Sequence, residues 1–354
     1  MSAKGKGIWR WGVKFLIANI FAILGFSVVG YFYYYGGLGI EPPIADEVWK
    51  RATPNSRVFR LTEGVANVRL DSNGFNNEYY LEHNLDLSDV DVLTMGSSHV
   101  EAFGVDKCFV YCLNERFADS ASPKRVYQCG SSSHTLASSV ARYENALKLF
   151  QPKQYVVLET YTIPGVATVE SALENTFKNR PMSAKLRPLF RRFWGTTWGA
   201  GRLNQFLNFR KKNKGEAEEE ETNVVLPDNA ELEAAWAKLA QRVVGLSREY
   251  EVTPIILFHS TPKLTKDAGV EPTWDVEKLA AFRAICEREG VVFVDATERF
   301  REEYEKNDVW AYGFCNAGIV SGHLNRDGHR MVADVLEEKI RELEAENKED
   351  EAQQ

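Results

Sequence analysis

Five short apolar runs fall in order along the chain, and helical stretches separate them. The runs are Val90 to Met95, RVYQCG at 125–130, QYVVLETY at 154–161, Thr253 to His259 and Val291 to Asp295. Between and after them, Cys108 to Phe117, Thr135 to Phe150, Glu231 to Tyr250, Trp274 to Glu289 and a segment from about Asp327 to Glu346 read as helices. Strands that alternate with helices need crossover connections, which make the strands parallel and place helices on the faces of one doubly wound sheet. In such a sheet, ligands and reactive groups collect beyond the carboxyl ends of the strands. The stretch VDVLTMGSSHVEAFGV at 90–105 runs from a buried strand through a Gly-Ser-Ser-His turn into a helix, so Ser98 stands at that edge. The turn alone leaves two readings open: a nucleophile beside free backbone N–H groups, or a serine N-cap next to a hydrogen-bonded histidine.

The 354 residues are 44% hydrophobic and 26% charged, enough for one large domain or a domain with an insertion. A net charge of −7 argues against nucleic acid as the main partner, because phosphate binding wants a basic face. The five cysteines, Cys108, Cys112, Cys129, Cys286 and Cys315, have no CxxC or metal-ligand spacing and read as small buried hydrophobes. No HExxH, P-loop or GxGxxG is present, so the sequence gives no support to a zinc or nucleotide site.

Residues 1–36 read as a cytoplasmic tail and a transmembrane anchor. Lys4, Lys6, Arg10 and Lys14 precede an uncharged run from Phe15 to Tyr35, while Glu41, Asp46 and Glu47 follow it. A run of that length spans a bilayer, and the basic flank keeps the N-terminus in the cytoplasm, leaving the rest of the chain outside. A cleaved signal peptide is the other reading, but no A-x-A site follows the run. Residues 37–88 read as a linker and an irregular segment packed on the main domain, which spans 89–346, and 347–354 as a disordered tail. An insertion at about 163–229 is not needed by the alternation. It mixes Phe190, Trp194, Trp198 and Phe206 with Arg187, Arg191, Arg192 and Arg202, then runs acidic from Glu216 to Glu221. It reads as a helical excursion, a surface lying on a membrane, or a lid.

A serine is a weak nucleophile at its own pKa and needs a base within hydrogen-bond reach and donors for the oxyanion. Three pieces share one edge of the expected sheet: Ser98 after the first run, Gly130 after the second, and His323 before the last helix. In this order they resemble the SGNH, or GDSL-type, hydrolase superfamily over roughly Asp89 to Ile340. Gly96-Ser97-Ser98-His99 looks like the family's Gly-Asp-Ser block, Gly130 matches its second-block glycine, and GHLN at 322–325 with Gly328-His329 resembles its last block. The resemblance implies a flavodoxin-like three-layer α/β/α fold without a cofactor. It gives Ser98 the nucleophile role, His323 the base role, and the Ser98 and Gly130 N–H groups the oxyanion.

Two departures stand out. The acid expected three residues before the histidine is Val320, so a Ser-His dyad, a carboxylate from elsewhere or a backbone carbonyl must orient the imidazole. The third-block asparagine is also not evident, with only Thr160 or Thr162 nearby. His99, His134, His259 and Asp295 read as structural hydrogen-bonders or caps. The expectation is therefore a membrane-anchored extracytoplasmic serine esterase or O-acyl transferase acting on an acylated envelope glycan or lipid. The alternative is a degenerate glycan-binding or scaffold protein of the same fold.

Overall fold

The computed structural model describes residues 54–60, 63–120, 122–132, 134–174, 229–261, 263–265, 270–316, 318 and 322–353, with eight positions between 14 and 25. One compact unit runs from Pro43 to Lys178 and from Leu226 to Gln354. It opens with an antiparallel hairpin, β1 (Arg57–Arg60) and β2 (Ala66–Arg69), followed by helix α1 (Glu78–His83). The alternation then begins with β3 (Val92–Met95), α2 (Ser98–Glu101), α3 (Phe109–Ala118), β4 (Val126–Gln128), α4 (Leu136–Phe150) and β5 (Tyr155–Thr160). After α5 (Val166–Leu173) come α6 (Asn229–Glu249), β6 (Thr253–Phe258) and a short hairpin of β7 (Lys263–Leu264) and β8 (Val270–Glu271). The chain ends with α7 (Val276–Glu289), β9 (Val292–Asp295), α8 (Thr297–Asn307) and α9 (Arg326–Gln353).

All five expected strands pair in parallel, in the order β4-β3-β5-β6-β9. This is the doubly wound order 2-1-3-4-5, whose direction reverses beside the first strand. Both faces of each central strand are covered, which explains why these runs are apolar throughout rather than alternating. Leu93, Val156, Leu158 and Ile256 pack with α4, α6 and α7 through Val140, Trp236 and Phe282. On the opposite face, Val92, Val157, Ile255 and Leu257 pack with α3, α8 and α9 through Phe109, Phe300 and Met331.

Strand β4 lies at the edge of the sheet, where unpaired backbone groups would invite another strand. Two asparagines cover it. Asn114 accepts from the Val126 N–H at 2.9 Å and donates to the Val126 carbonyl at 2.7 Å. Asn77, from the turn-rich DSNGFNN text, does the same for Gln128 at 2.9 and 3.0 Å. A planar amide offers a donor and an acceptor side by side, so each asparagine substitutes for one residue of a missing neighbour strand.

Several expectations need adjustment. Most of the apolar run from Phe15 to Tyr35 lies outside the described residues, and among the described residues no helix is long and apolar enough to cross a membrane. Of the insertion at 163–229, the part from 175 to 228 lies outside the described residues, while Val166–Leu173 is helix α5. The tail expected to be disordered instead continues the last helix to Gln353, its text being polar and charged with one alanine and no Gly or Pro to end the helix. Helix α8 was not expected, because its exposed face makes the segment strongly polar and only Thr297 and Phe300 are buried.

Asn114→Ala removes both partners of the buried Val126 backbone and leaves them unsatisfied. The expected loss of stability is about 2–3 kcal/mol, read as a lower urea midpoint with an unchanged m-value. An unchanged midpoint would contradict the edge-capping role.

Candidate active site

Ser98 opens α2 directly after β3. Ser97 caps this short helix, its hydroxyl accepting from the His99 N–H at 3.2 Å. His323 arrives in the loop before α9, with its Nε2 2.7 Å from Ser98 Oγ. Ser98 and His323, far apart in sequence, are thus within direct proton-transfer distance.

The acid comes from outside the alternating part of the chain. Glu63, in the turn of the β1–β2 hairpin, places Oε2 2.6 Å from His323 Nδ1 and accepts the His323 backbone N–H on Oε1 at 2.8 Å. A carboxylate can only accept here, so the hydrogen must sit on Nδ1, leaving the Nε2 lone pair aimed at the Ser98 hydroxyl. That tautomer is the one a general base needs. Val320, at the position where the family resemblance places an acid, lies outside the described residues.

The Glu63 turn is held on several sides. Asn316 accepts from the Gly64 N–H and donates to the Gly64 carbonyl, both at 2.9 Å. Gly64 has φ +78°, and a Cβ there would lie 2.0 Å from the Gly104 carbonyl oxygen. Gly322 has φ +101°, and a Cβ on it would lie 2.3 Å from Glu63 Oε1. Glycine at both positions is therefore required twice, by backbone conformation and by space. Glu63 is 18% and His323 30% exposed, so the pair is partly shielded from water but open to a substrate. A small depression beside them is lined by Phe103, Gly104 and His329.

The expected oxyanion donors are placed differently from one another. Among the described residues the Ser98 N–H meets no acceptor, as befits the first turn of a helix. The Gly130 N–H, by contrast, donates to Gln128 Oε1 at 2.8 Å. Gly130 instead serves close packing, since a Cβ there would lie 2.4 Å from Val100 Cβ. The Thr160 hydroxyl is also engaged, donating to the Thr162 carbonyl at 2.6 Å.

Three further histidines surround the site. His99 is buried and accepts the Leu324 N–H on Nδ1 at 3.3 Å, and its ring centroid lies 5.0 Å from that of His323. Burial first, then the charges of His259, His323 and His329, holds its pKa well below the ordinary histidine value. His329 stacks on Phe109 at 5.9 Å and accepts that residue's N–H at 3.3 Å. Burial pushes its pKa down to about 3. His259 is fully buried, with Nε2 2.9 Å from Glu159 Oε1. Asp295 accepts from the Thr297 N–H and hydroxyl at 2.9 and 2.5 Å, in the capping role read from the sequence.

Glu63, Glu159 and Tyr312 were missed in the sequence. For Glu63 the available signal was a Glu-Gly pair between two alternating runs, the text of a hairpin turn. For Glu159 it was a carboxylate interrupting an apolar strand run.

No family model matches the chain, and no curated protein sequence matches it. Solved structures are similar in backbone path at low identity. An acetyl xylan esterase, AlAXEase, is 13% identical, with 70% of this chain and 98% of that chain covered and a TM-score of 0.40. TesA is 16% identical, with 71% and 98% covered and a TM-score of 0.38. A putative arylesterase from Agrobacterium tumefaciens is 14% identical, with 71% and 98% covered and a TM-score of 0.37. At these identities and scores none of the three speaks for this chain's chemistry, which is read from its own side chains.

His329 stays neutral in the fold but binds a proton when unfolded, so its contribution is complete above about pH 6.5 and drains as pH falls toward about 3. By about pH 5 the loss from His329 alone is expected to be about 2 kcal/mol. Urea midpoints between about pH 7.5 and about pH 5 should fall steeply in the wild type and less steeply in His329→Gln. Equal slopes would contradict a neutral, buried His329.

The 2-1-3-4-5 parallel sheet makes this a flavodoxin-like doubly wound α/β fold, with Ser98 in the turn after its first strand and His323 in the loop before its last helix hydrogen-bonded to one another.

Proposed function

We propose that the protein is a serine esterase or O-acyl transferase, anchored by its N-terminal apolar run with the α/β domain outside the cytoplasm, and acting on an acylated envelope glycan or lipid. The observation that carries the chemistry is the continuous hydrogen-bonded line Glu63–His323–Ser98, with contacts of 2.6 and 2.7 Å. The doubt raised by Val320 loses its force once Glu63 occupies the orienting role.

In this reading Ser98 Oγ attacks the ester carbonyl carbon while His323 Nε2 takes the hydroxyl proton. Glu63 stabilises the imidazolium that forms, and the Ser98 N–H donates to the developing oxyanion. His323 then returns the proton to the departing alkoxide, leaving the acyl group on Ser98. A water, or a hydroxyl of an acceptor in the transfer case, is activated by the same imidazole and releases the acyl group. Water and a second alcohol differ only in what occupies the position vacated by the leaving group, so the described residues serve either outcome.

Location is supported by charge: Lys4, Lys6, Arg10 and Lys14 before the apolar run, Glu41, Asp46 and Glu47 after it. The envelope substrate follows from that location.

A membrane-impermeant fluorophosphonate tests activity and orientation together. Intact cells are expected to yield a covalent adduct on Ser98, absent in Ser98→Ala. Labelling only after the membrane is opened would overturn the orientation. Failure of the detergent-solubilised full-length protein to label would overturn the serine-hydrolase reading.

A further inference from the structure

Beneath the Ser98 turn lies a line of buried polar side chains that the proposed mechanism does not use. Glu159, near the end of β5, is 0% exposed, and one of its oxygens is so close that a Cβ on Gly96 would lie 2.3 Å from it. It accepts the Ser97 N–H at 2.6 Å and the Ser97 hydroxyl at 3.1 Å. On its other side His259 Nε2 lies 2.9 Å away and, facing a carboxylate, must donate. Three donors, two from Ser97 after β3 and one from His259 after β6, converge on one fully buried carboxylate.

The line continues past His259. Its Nδ1 lies 2.8 Å from the hydroxyl of Tyr312, which is 1% exposed. Tyr312 in turn pairs with Leu324 in an antiparallel bridge, and the next residue, Gly313, donates its N–H to the His323 carbonyl at 2.9 Å. One end of the line therefore grips the residue before the nucleophile, and the other grips the backbone of the base.

We propose that Glu159, His259 and Tyr312 are positioning residues, forming a buried strut that fixes the separation of Ser98 and His323 from below. The proposal rests on the serine-hydrolase reading and adds to it a second set of residues on which the rate depends. A buried polar network is a poor way to gain stability, since apolar side chains of equal volume often do as well. It is a good way to fix geometry, because its hydrogen bonds tolerate little displacement. A misplacement of about 1 Å at reacting groups costs about a hundredfold in rate.

The strut is linked in series, which gives its test a distinctive form. The full-length protein in detergent is treated with a fluorophosphonate, and kinact and KI are measured for the wild type, Glu159→Gln, Tyr312→Phe and the double variant. Each single substitution is expected to lower kinact about tenfold or more while KI stays within about twofold. The double variant is expected to be no slower than the slower single, because a series connection broken once is already broken. Unchanged kinact in the singles, or losses that multiply in the double, would overturn the proposal. Should Glu159→Gln not fold, Tyr312→Phe, which removes one oxygen, decides alone: an unchanged kinact overturns the strut. Failure of the underlying reading looks different, since the wild type would then not label at Ser98.

Discussion

The two-handed hold of Glu63 on His323 is the contact through which the rest of the site becomes usable. One carboxylate oxygen accepts the ring hydrogen and the other accepts the same residue's backbone N–H, at 2.6 and 2.8 Å. The first bond sets the tautomer, and the second sets the loop that carries the ring. Because the acid sits in a hairpin outside the parallel sheet, that hairpin must dock for the base to work. The docking has visible means: Ala66, Val68 and Leu70 form a small buried cluster with Val58 and Phe103, and Asn316 clips the Gly64 peptide.

The same logic of local polar groups replacing missing backbone partners recurs across the fold. Asn77 and Asn114 complete the open edge of β4, Asn316 completes the turn bearing Glu63, and Ser97 completes the first turn of α2. In each case a short side chain satisfies a buried backbone group that the regular ladder cannot reach. Leaving such a group unpaired costs more than the bond itself contributes, so the fold itself constrains these residues.

What could be read from the sequence was whatever repeats or falls at a topologically fixed place. The five strands were legible because a parallel strand covered on both faces must be apolar throughout. Ser98 and His323 were legible because a strand-to-helix turn and the approach to the last helix both lie at the carboxyl edge of such a sheet. Glu63 was not, because nothing in the local text of a hairpin turn says which distant loop it meets. Gly130 shows the limit of transfer by resemblance: its place in the sheet is as expected, but Gln128 takes its N–H. His259 was legible as a structural hydrogen-bonder, but its partner Glu159 was hidden, since a buried pair looks like two isolated polar residues until the sheet sets β5 beside β6.

Glu63→Gln tests the account most directly. A glutamine keeps the shape of the side chain and an oxygen for the His323 N–H, but presents an amide NH₂ to Nδ1. The ring hydrogen is then driven to Nε2, where it faces the Ser98 hydroxyl and cannot accept its proton. The measurement is kcat on a small aryl ester for wild type and Glu63→Gln, with unfolding midpoints in parallel. The account predicts a fall of about a thousandfold to ten-thousandfold in kcat with the fold intact. A folded Glu63→Gln protein within about threefold of wild-type kcat would contradict Glu63 as the residue that orients the base.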